Sequence, residues 1–236
     1  MTTKSFYSLE KLLNEGRRLA VSCDTVSFDL FDTLLIRRIH DPDLVKIPVA
    51  RYISSLAKKC GIKRSWQAVQ KLRNLLEQQQ RDETGTKFDD HEACYPVFME
   101  TTLRTIFADH YDASLLERVT HYELEMESSM LVPRKLLVDW LIELKSQNKR
   151  LLIISDIYLP AEHLRILVKR AGLLDLVEDV VSSADTFLAK ASGQAFPLVE
   201  KRFNLSRSSW LHIGDNPISD GLRPAEFDIQ SLVLKD

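Results

Sequence analysis

A short, continuously apolar segment at residues 151–154 constrains the fold of this chain more than any other feature. Apolar residues in unbroken succession fit a strand that helices cover on both faces, as in a parallel sheet. Helical and strand-like patterns alternate along the chain after Met130. Such alternation predicts a doubly wound parallel sheet, an α/β core of the Rossmann-like kind. The predicted strands are residues 26–30, 151–154, 177–181, 210–213 and 229–234, and the predicted helices of this part are 8–20, 133–146, 160–171 and 194–203.

Residues 37–130 have a different pattern, with apolar side chains at helical spacing and almost no strand pattern. Pro48 is expected in the first turn of one helix, and further helices are predicted near 93–108 and 113–128. Residues 84–90 contain Gly85 and two aspartates and predict a loop. We therefore expect an α/β core of residues 1–36 and 131–236, with an all-α cap domain at 37–130. A second helix of the cap is predicted from an apolar stripe, Trp66, Val69, Leu72 and Leu76.

Composition excludes several classes of protein. The net charge of −2 and the isoelectric point near 6.3 argue against a dedicated nucleic-acid binder. No apolar run approaches the 18 or so residues of a membrane span, and the first ten residues lack the pattern of a signal peptide. The three cysteines form no CxxC pair, so reduced thiols are expected. These observations predict a cytoplasmic protein without a membrane partner; oligomeric state cannot be read from the sequence.

Polar side chains follow four of the predicted strands. Asp29 follows the first, Ser155 the second, Lys190 the third and Asp215 the fourth. In open parallel sheets, ligand sites form outside the carboxyl ends of the strands. Each residue alone is a weak signal, but together, in this order, they predict one catalytic site.

The motifs at these positions resemble those of the haloacid dehalogenase superfamily of aspartate-nucleophile hydrolases. The resemblance implies that Asp29 is a covalent nucleophile and that Ser155 holds the phosphoryl oxygens of a substrate. It also implies that Lys190 stabilises the nucleophile and the transferring group, and that Thr33 supports the nucleophile loop. The matching segments are Phe28-Asp29-Leu30-Phe31-Asp32-Thr33-Leu34, Ser155, Lys190 and Gly214-Asp215 with Asp220.

Three carboxylates at one site require a cation. Each pair of like charges about 4 Å apart costs about 4 kcal/mol at an effective dielectric constant of 20. Oxygen ligands of this kind favour Mg²⁺. The resemblance implies that Asp29, the backbone carbonyl of Phe31 and Asp215 hold the metal, with Asp220 as a further ligand or as a support for the ligands.

Other polar residues beside these motifs have two open interpretations. Asp32 and Asp156 either face the substrate or stabilise their turns. Arg37 and Arg38, just after the first motif, either bind a carboxylate or phosphate of the substrate or form surface ion pairs.

Phe31 departs from the phosphatase pattern of the superfamily, in which a second Asp stands two residues after the nucleophile. That Asp protonates the leaving oxygen, a contribution of about 100- to 10,000-fold in rate, and Phe cannot replace it. The dehalogenase branch has an aromatic residue there but lacks magnesium. The sequence therefore predicts a magnesium-dependent phosphatase or phosphotransferase for a small phosphorylated metabolite. A dehalogenase- or phosphonatase-like hydrolase and a weakly catalytic ligand-binding protein remain as alternatives, and Asp32 is an alternative acid.

Overall fold

The protein is described by a computed structural model that covers residues 3–88 and 90–235. Six strands form one sheet in which every pair of neighbours is parallel. The described residues form eight strands in all: β1 (Lys4–Phe6), β2 (Thr25–Phe28), β3 (Leu35–Arg37), β4 (Leu131–Pro133), β5 (Arg150–Ser155), β6 (Asp179–Ser182), β7 (Trp210–Gly214) and β8 (Gln230–Leu234). The order in the large sheet is β1-β8-β7-β2-β5-β6, and β3 pairs with β4 separately.

Helices cover both faces of this sheet, as predicted. The helices are α1 (Leu9–Ala20), α2 (Lys46–Lys59), α3 (Trp66–Phe88), α4 (Tyr95–Phe107), α5 (Ala113–Met130), α6 (Lys135–Ser146), α7 (Ala161–Arg170), α8 (Ser183–Thr186), α9 (Ala195–Phe203) and α10 (Arg223–Glu226). Side chains of α1, α6 and α7 pack in one apolar cluster, and those of α9 pack in a second.

Strand β5 shows why its sequence is apolar throughout. Leu151 and Ile153 belong to the first cluster, whereas Leu152 and Ile154 belong to the second. Successive side chains of a strand point to opposite faces, so both faces of β5 are buried between helices. The predicted doubly wound α/β fold is confirmed.

The loop predicted at residues 84–90 is wrong for residues 84–88, because α3 continues to Phe88, whereas Asp90 lies outside any helix. The Thr84 hydroxyl donates to the carbonyls of Arg81 and Glu92, which ties the end of the helix to the chain that follows it. Gly85 lies so close to the His91 ring that a Cβ there would overlap it. The glycine permits a close approach and does not mark a turn. Asp89 lies outside the described residues.

The structure also contains two features that the sequence did not predict. Strand β1 adds a parallel edge to the sheet beside β8. Strands β3 and β4 form an antiparallel ribbon through which the chain enters and leaves the helical insert α2–α5. Within the described residues, no helix combines the length and apolar character needed to cross a membrane.

Buried charges link the insert to the core near Tyr158. Arg73 and Glu123 are fully buried and form an ion pair at 2.5 Å. The Tyr158 hydroxyl lies 3.3 Å from Glu123 and 3.5 Å from Glu127. Burial raises the pKa of Glu127 to about 7, against the opposing charge of Arg37. The second carboxyl oxygen of Glu127 has no hydrogen-bond partner within the described residues.

The raised pKa of Glu127 predicts a pH-dependent contribution to stability. A carboxyl whose pKa is raised on folding stabilises the folded state fully below its unfolded pKa. This contribution is lost as the pH rises through the folded pKa. Glu127→Gln removes the titration, so the variant should gain about 2–4 kcal/mol over the wild type between pH 5 and pH 8. Urea unfolding across this range measures the difference. Glu125→Gln, an exposed change on the same helix, is the matched control. Parallel pH profiles of wild type and Glu127→Gln would contradict the prediction.

Candidate active site

The nucleophile candidate Asp29 directly follows the buried central strand β2. Its amide donates to the carbonyl of Ile213 in β7 at 2.8 Å. A tight turn follows, in which the amide of Leu35 bonds to Leu30 and the amide of Asp32 bonds to Leu35. Asp32 adopts a positive φ of 59°, a conformation that Asp tolerates better than most residues. The turn therefore fixes Asp29 at the carboxyl edge of the sheet.

Lys190 joins two of the predicted site carboxylates. Its Nζ lies 2.7 Å from Oδ1 of Asp29 and 2.6 Å from Oδ1 of Asp220. All three side chains are nearly buried, with relative exposures of 7% for Asp29, 2% for Lys190 and 1% for Asp220. Buried charges of this kind are tolerated when they are paired.

The pKa values of Asp29 and Asp220 are shifted in opposite directions. Burial raises the pKa of Asp29, and Asp220 and Asp215 raise it further against the effect of Lys190. Burial also works against ionised Asp220, but Lys190 and His212 outweigh it and hold its pKa below the usual range. For Lys190, burial alone would lower the pKa, and the two carboxylates raise it instead. The surroundings thus favour the anionic form of Asp220 and the cationic form of Lys190.

A chain of buried hydrogen bonds ends at Asp220 and holds its carboxylate in place. Trp210 Nε1 lies 2.7 Å from Ser27 Oγ, and Ser27 Oγ lies 2.7 Å from Nδ1 of His212. Nε2 of His212 lies 3.0 Å from Oδ1 of Asp220. Because the indole nitrogen only donates, Ser27 accepts from it and donates its own proton to Nδ1. The proton of His212 is then on Nε2 and points at Asp220.

The other oxygen of Asp220 is also bound. Oδ2 accepts from the amide of Asn216 at 3.0 Å. Gly214 lies so close that a Cβ there would overlap the Asp220 carboxyl. Burial lowers the pKa of His212, so the ring is neutral and acts as a fixed donor. Asp220 accepts hydrogen bonds from three donors, and this geometry suits a side chain that orients Lys190 better than a direct metal ligand.

A divalent cation fits beside these residues. One ligand atom from each of Asp29, Asp215 and Asp220 lies within 4.8 Å of the others. Lys190 occupies Oδ1 of Asp29, and the Thr33 hydroxyl lies 3.3 Å from Oδ1 of Asp215. Among the described residues, no other side chain donates to these two carboxylates, so each can offer an oxygen to a cation. Burial raises the pKa of Asp215, as does the charge of Asp220. Mg²⁺ is commonly held by one or two carboxylates and completes its shell with water.

The remaining predicted residues lie around this cluster. Ser155 ends β5 and is buried at 2% exposure, on the wall of the cavity above Asp29. Asp156 accepts hydrogen bonds from the amides of Lys190 and Ala191 at 2.9 and 3.0 Å. Of the two interpretations of Asp156, the one in which it stabilises the loop has these contacts in its favour.

Phe31 and Arg37 form one unit on the side of the cavity that faces the insert. The guanidinium of Arg37 lies 4.2 Å from the centre of the Phe31 ring. Nη1 of Arg37 also donates to Oδ2 of Asp32 at 2.7 Å. Asp32 is therefore paired with a cation.

The cavity above Asp29 has a volume of about 380 Å³ and a charged outer wall. Lys46 bridges Asp43 at 2.9 Å and Glu77 at 3.1 Å. Arg81 binds Glu77 at 3.0 Å. The wall is supplied by the insert and by the turn after β5, through Pro42, Asp43, Lys46, Glu77, Arg81, Glu92, Ile157 and Tyr158.

Sequence reasoning missed these wall residues and the support of Asp220. His212 offered a signal, because it is a polar residue inside the otherwise apolar strand β7. Ser27 offered the same signal in β2. The wall residues offered none, since charged residues are ordinary on helices of this kind.

Comparisons with known proteins show the family of this chain. The sequence model of the haloacid dehalogenase-like hydrolases matches residues 23–221. The chain belongs to this family. A search of curated proteins finds no match.

Solved structures of two kinds of family member are similar in fold. A 2-haloacid dehalogenase from Pseudomonas syringae pv. Tomato DC3000 is 17% identical, with a TM-score of 0.61 over 89% of this chain and 86% of that one. A HAD phosphatase from Thermococcus onnurineus is 18% identical, with a TM-score of 0.56 over 89% of this chain and 85% of that one. At such identities the likeness shows the fold alone.

The support of Asp220 predicts a stability effect at His212. His212→Leu removes the donor to a buried anion and leaves the hydroxyl proton of Ser27 without its acceptor, so it should cost about 1.5–3 kcal/mol in the free energy of unfolding. His212→Gln can place an amide donor near the position of Nε2 and should cost less. Urea unfolding at neutral pH compares the two. Equal losses in both variants would mean that the hydrogen bond to Asp220 contributes nothing beyond packing.

Proposed function

We propose that this hydrolase is a magnesium-dependent phosphatase or phosphotransferase that acts on a small phosphorylated metabolite, with Asp29 as its nucleophile. The observation behind the proposal is the placement of Lys190 between Asp29 and Asp220, with Asp215 beside them. A buried lysine next to a carboxylate at a strand end suits the transfer of a charged group, because it offsets negative charge where water is excluded.

Each residue has a role in this reaction. Asp29 attacks phosphorus and forms an aspartyl phosphate, which water then hydrolyses. Lys190 holds Asp29 by Oδ1 and favours the ionised form of the nucleophile against the effect of burial. Ser155 binds a phosphoryl oxygen, and Thr33 steadies Asp215. A magnesium ion held by Asp29, the carbonyl of Phe31 and Asp215 would offset the charge of the phosphoryl group.

The outer wall of the cavity supports a hydrophilic substrate. The insert contributes five charged side chains there, and among the described residues its one apolar contribution to the lining is Pro42. An apolar haloalkanoic acid would leave these charges without compensating contacts, at a cost in desolvation. A phosphorylated metabolite with a polar leaving group fits such a wall.

A dehalogenase- or phosphonatase-like reaction is the second candidate, and Phe31 favours it. Halide needs no proton from an acid as it leaves, so Phe31 would be no handicap. The cluster of Asp29, Asp215 and Asp220 argues against it, because three carboxylates would repel the carboxylate of a haloacid. A weakly catalytic ligand-binding protein is the third candidate, and it predicts binding of phosphorylated ligands without turnover.

A screen of phosphorylated metabolites, run with and without magnesium, tests the proposal. Release of inorganic phosphate should require magnesium and should be absent in Asp29→Asn. Chloride release from 2-chloropropionate, measured in parallel, is the outcome that favours the second candidate. Ligand-induced thermal stabilisation without release of either product favours the third.

Variants of the metal site sharpen the screen. In Asp215→Asn, the magnesium concentration that gives half-maximal rate should rise at least about tenfold, since one carboxylate ligand is lost. Asp43→Asn removes a carboxylate from the same cavity but not from the cluster, and should leave the magnesium dependence unchanged. The same midpoint in Asp215→Asn and wild type would remove Asp215 from the metal site.

A further inference from the structure

Phe31 leaves the proposed phosphatase without the acid that protonates the leaving oxygen. We propose that Glu92, supplied by the helical insert, is the general acid and base of this site. The inference rests on the proposed function. It assigns the missing proton transfer to a residue more than sixty positions away from the nucleophile in sequence.

Glu92 lines the same cavity as Asp29, Ser155 and Lys190. Glu92 lies in the segment between α3 and α4. This segment contacts the core both before and after Glu92. Before it, Oδ2 of Asp90 accepts from the amide of Ala189 at 2.9 Å and from the Ser192 hydroxyl at 2.7 Å. After it, the amide of Tyr95 donates to the carbonyl of Tyr158 at 2.8 Å. These contacts fix the backbone of Glu92 over the motifs that follow β5 and β6.

The carboxyl group of Glu92 is oriented by one hydroxyl. Ser183 Oγ donates to Oε2 at 2.7 Å, and the same Oγ accepts from the amide of Ile157 at 3.0 Å. Oε1 has no hydrogen-bond partner among residues 3–88 and 90–235. One oxygen is thus anchored, and the other is left for a substrate atom.

Glu92 also differs from the other carboxylates of the outer wall in its charge partners. Asp32 is paired with Arg37, and Asp43 with Lys46. Glu77 is paired with both Lys46 and Arg81. Within the described part of the chain, Glu92 has no cation at ion-pair distance. An ion-paired carboxylate resists protonation, so Glu92 is the wall carboxylate best suited to bind a proton.

The surroundings of Glu92 favour its protonated form. Burial raises the pKa of Glu92, and the carboxylates of Asp156, after β5, and Asp90, in its own segment, raise it further. Ser183 of α8 and Arg81 of α3 act in the opposite direction. A raised pKa lets a carboxyl group keep its proton closer to neutral pH, as general acids require.

The proton then follows a balanced sequence. Asp29 forms a bond to phosphorus while the bond from phosphorus to the leaving oxygen breaks, and protonated Glu92 gives its proton to that oxygen. Glu92 is now a carboxylate. It takes a proton from the water that attacks the phosphorus of the aspartyl phosphate. The bond from phosphorus to Asp29 breaks, inorganic phosphate leaves, and Glu92 is protonated again.

Glu92→Gln separates these two roles, because Gln keeps the shape and cannot exchange the proton. With an alkyl phosphate, the first step lacks its acid, and kcat/KM should fall about 100-fold or more. With p-nitrophenyl phosphate the leaving group needs no acid. That substrate should give a rapid burst of one p-nitrophenolate per site, followed by slow turnover, because the aspartyl phosphate lacks its base. Stopped-flow absorbance with full-length protein and magnesium measures the burst.

Two further variants make the test specific. Ser183→Ala frees Oε2 and should cause a smaller loss on alkyl phosphates without a burst. Asp32→Asn tests the rival acid and should show neither the burst nor the selective loss on alkyl phosphates. Circular dichroism and thermal unfolding verify that each variant is folded.

Each outcome decides the inference. If the wild type hydrolyses phosphate esters with magnesium and Glu92→Gln shows the same kinetics on both substrates, the inference fails and the proposed function stands. If Asp32→Asn shows the expected signature instead, the acid is Asp32. If wild type hydrolyses no phosphate ester, the proposed function fails and the inference fails with it.

Discussion

The buried ammonium of Lys190, held between Asp29 and Asp220, is the interaction on which the rest of the site depends. Burying a lysine is unfavourable unless carboxylates surround it, so three separate segments must meet at one point. Asp29 ends the central strand β2, and Asp220 follows its neighbour β7. Lys190 comes from the loop after β6, which lies two strands away from β2. Asp156 holds that loop by two backbone amides and bridges the gap.

The helical insert belongs to the same arrangement and is not an independent lid. Asp90 binds the amide of Ala189, one residue before Lys190. The insert thus fixes the loop that carries the lysine and, through Glu92, also reaches into the cavity. A substrate in this cavity would contact core motifs on one side and charged residues of the insert on the other. Under the proposed function, the core would supply the nucleophile and the phosphoryl site, and the insert would determine which leaving groups are accepted.

The sequence predicted those parts that follow from local pattern. The apolar run in β5 required two covered faces; Asp29 and Asp215 follow strands, and Ser155 is the last residue of one. It failed at the end of α3, where the helix continues through Gly85 and the His91 ring lies against that glycine, a contact that no local rule reveals. The support of Asp220 by His212 and the position of Glu92 depend on register and on contacts between segments far apart in sequence. The boundaries of the cap domain stay a prediction.

The central claim is that Asp29 becomes covalently phosphorylated, and trapping that species tests it most directly. The protein is mixed with magnesium and a turned-over phosphate ester, quenched in acid within a single turnover, and digested for mass spectrometry. Because Lys190 and the surrounding carboxylates are arranged about Asp29, the peptide that contains Asp29 should gain the mass of one phosphoryl group. The matched peptide of Asp29→Asn should gain none. Phosphate release in the same quenched samples, with Asp29 unmodified at every time point, would contradict the account.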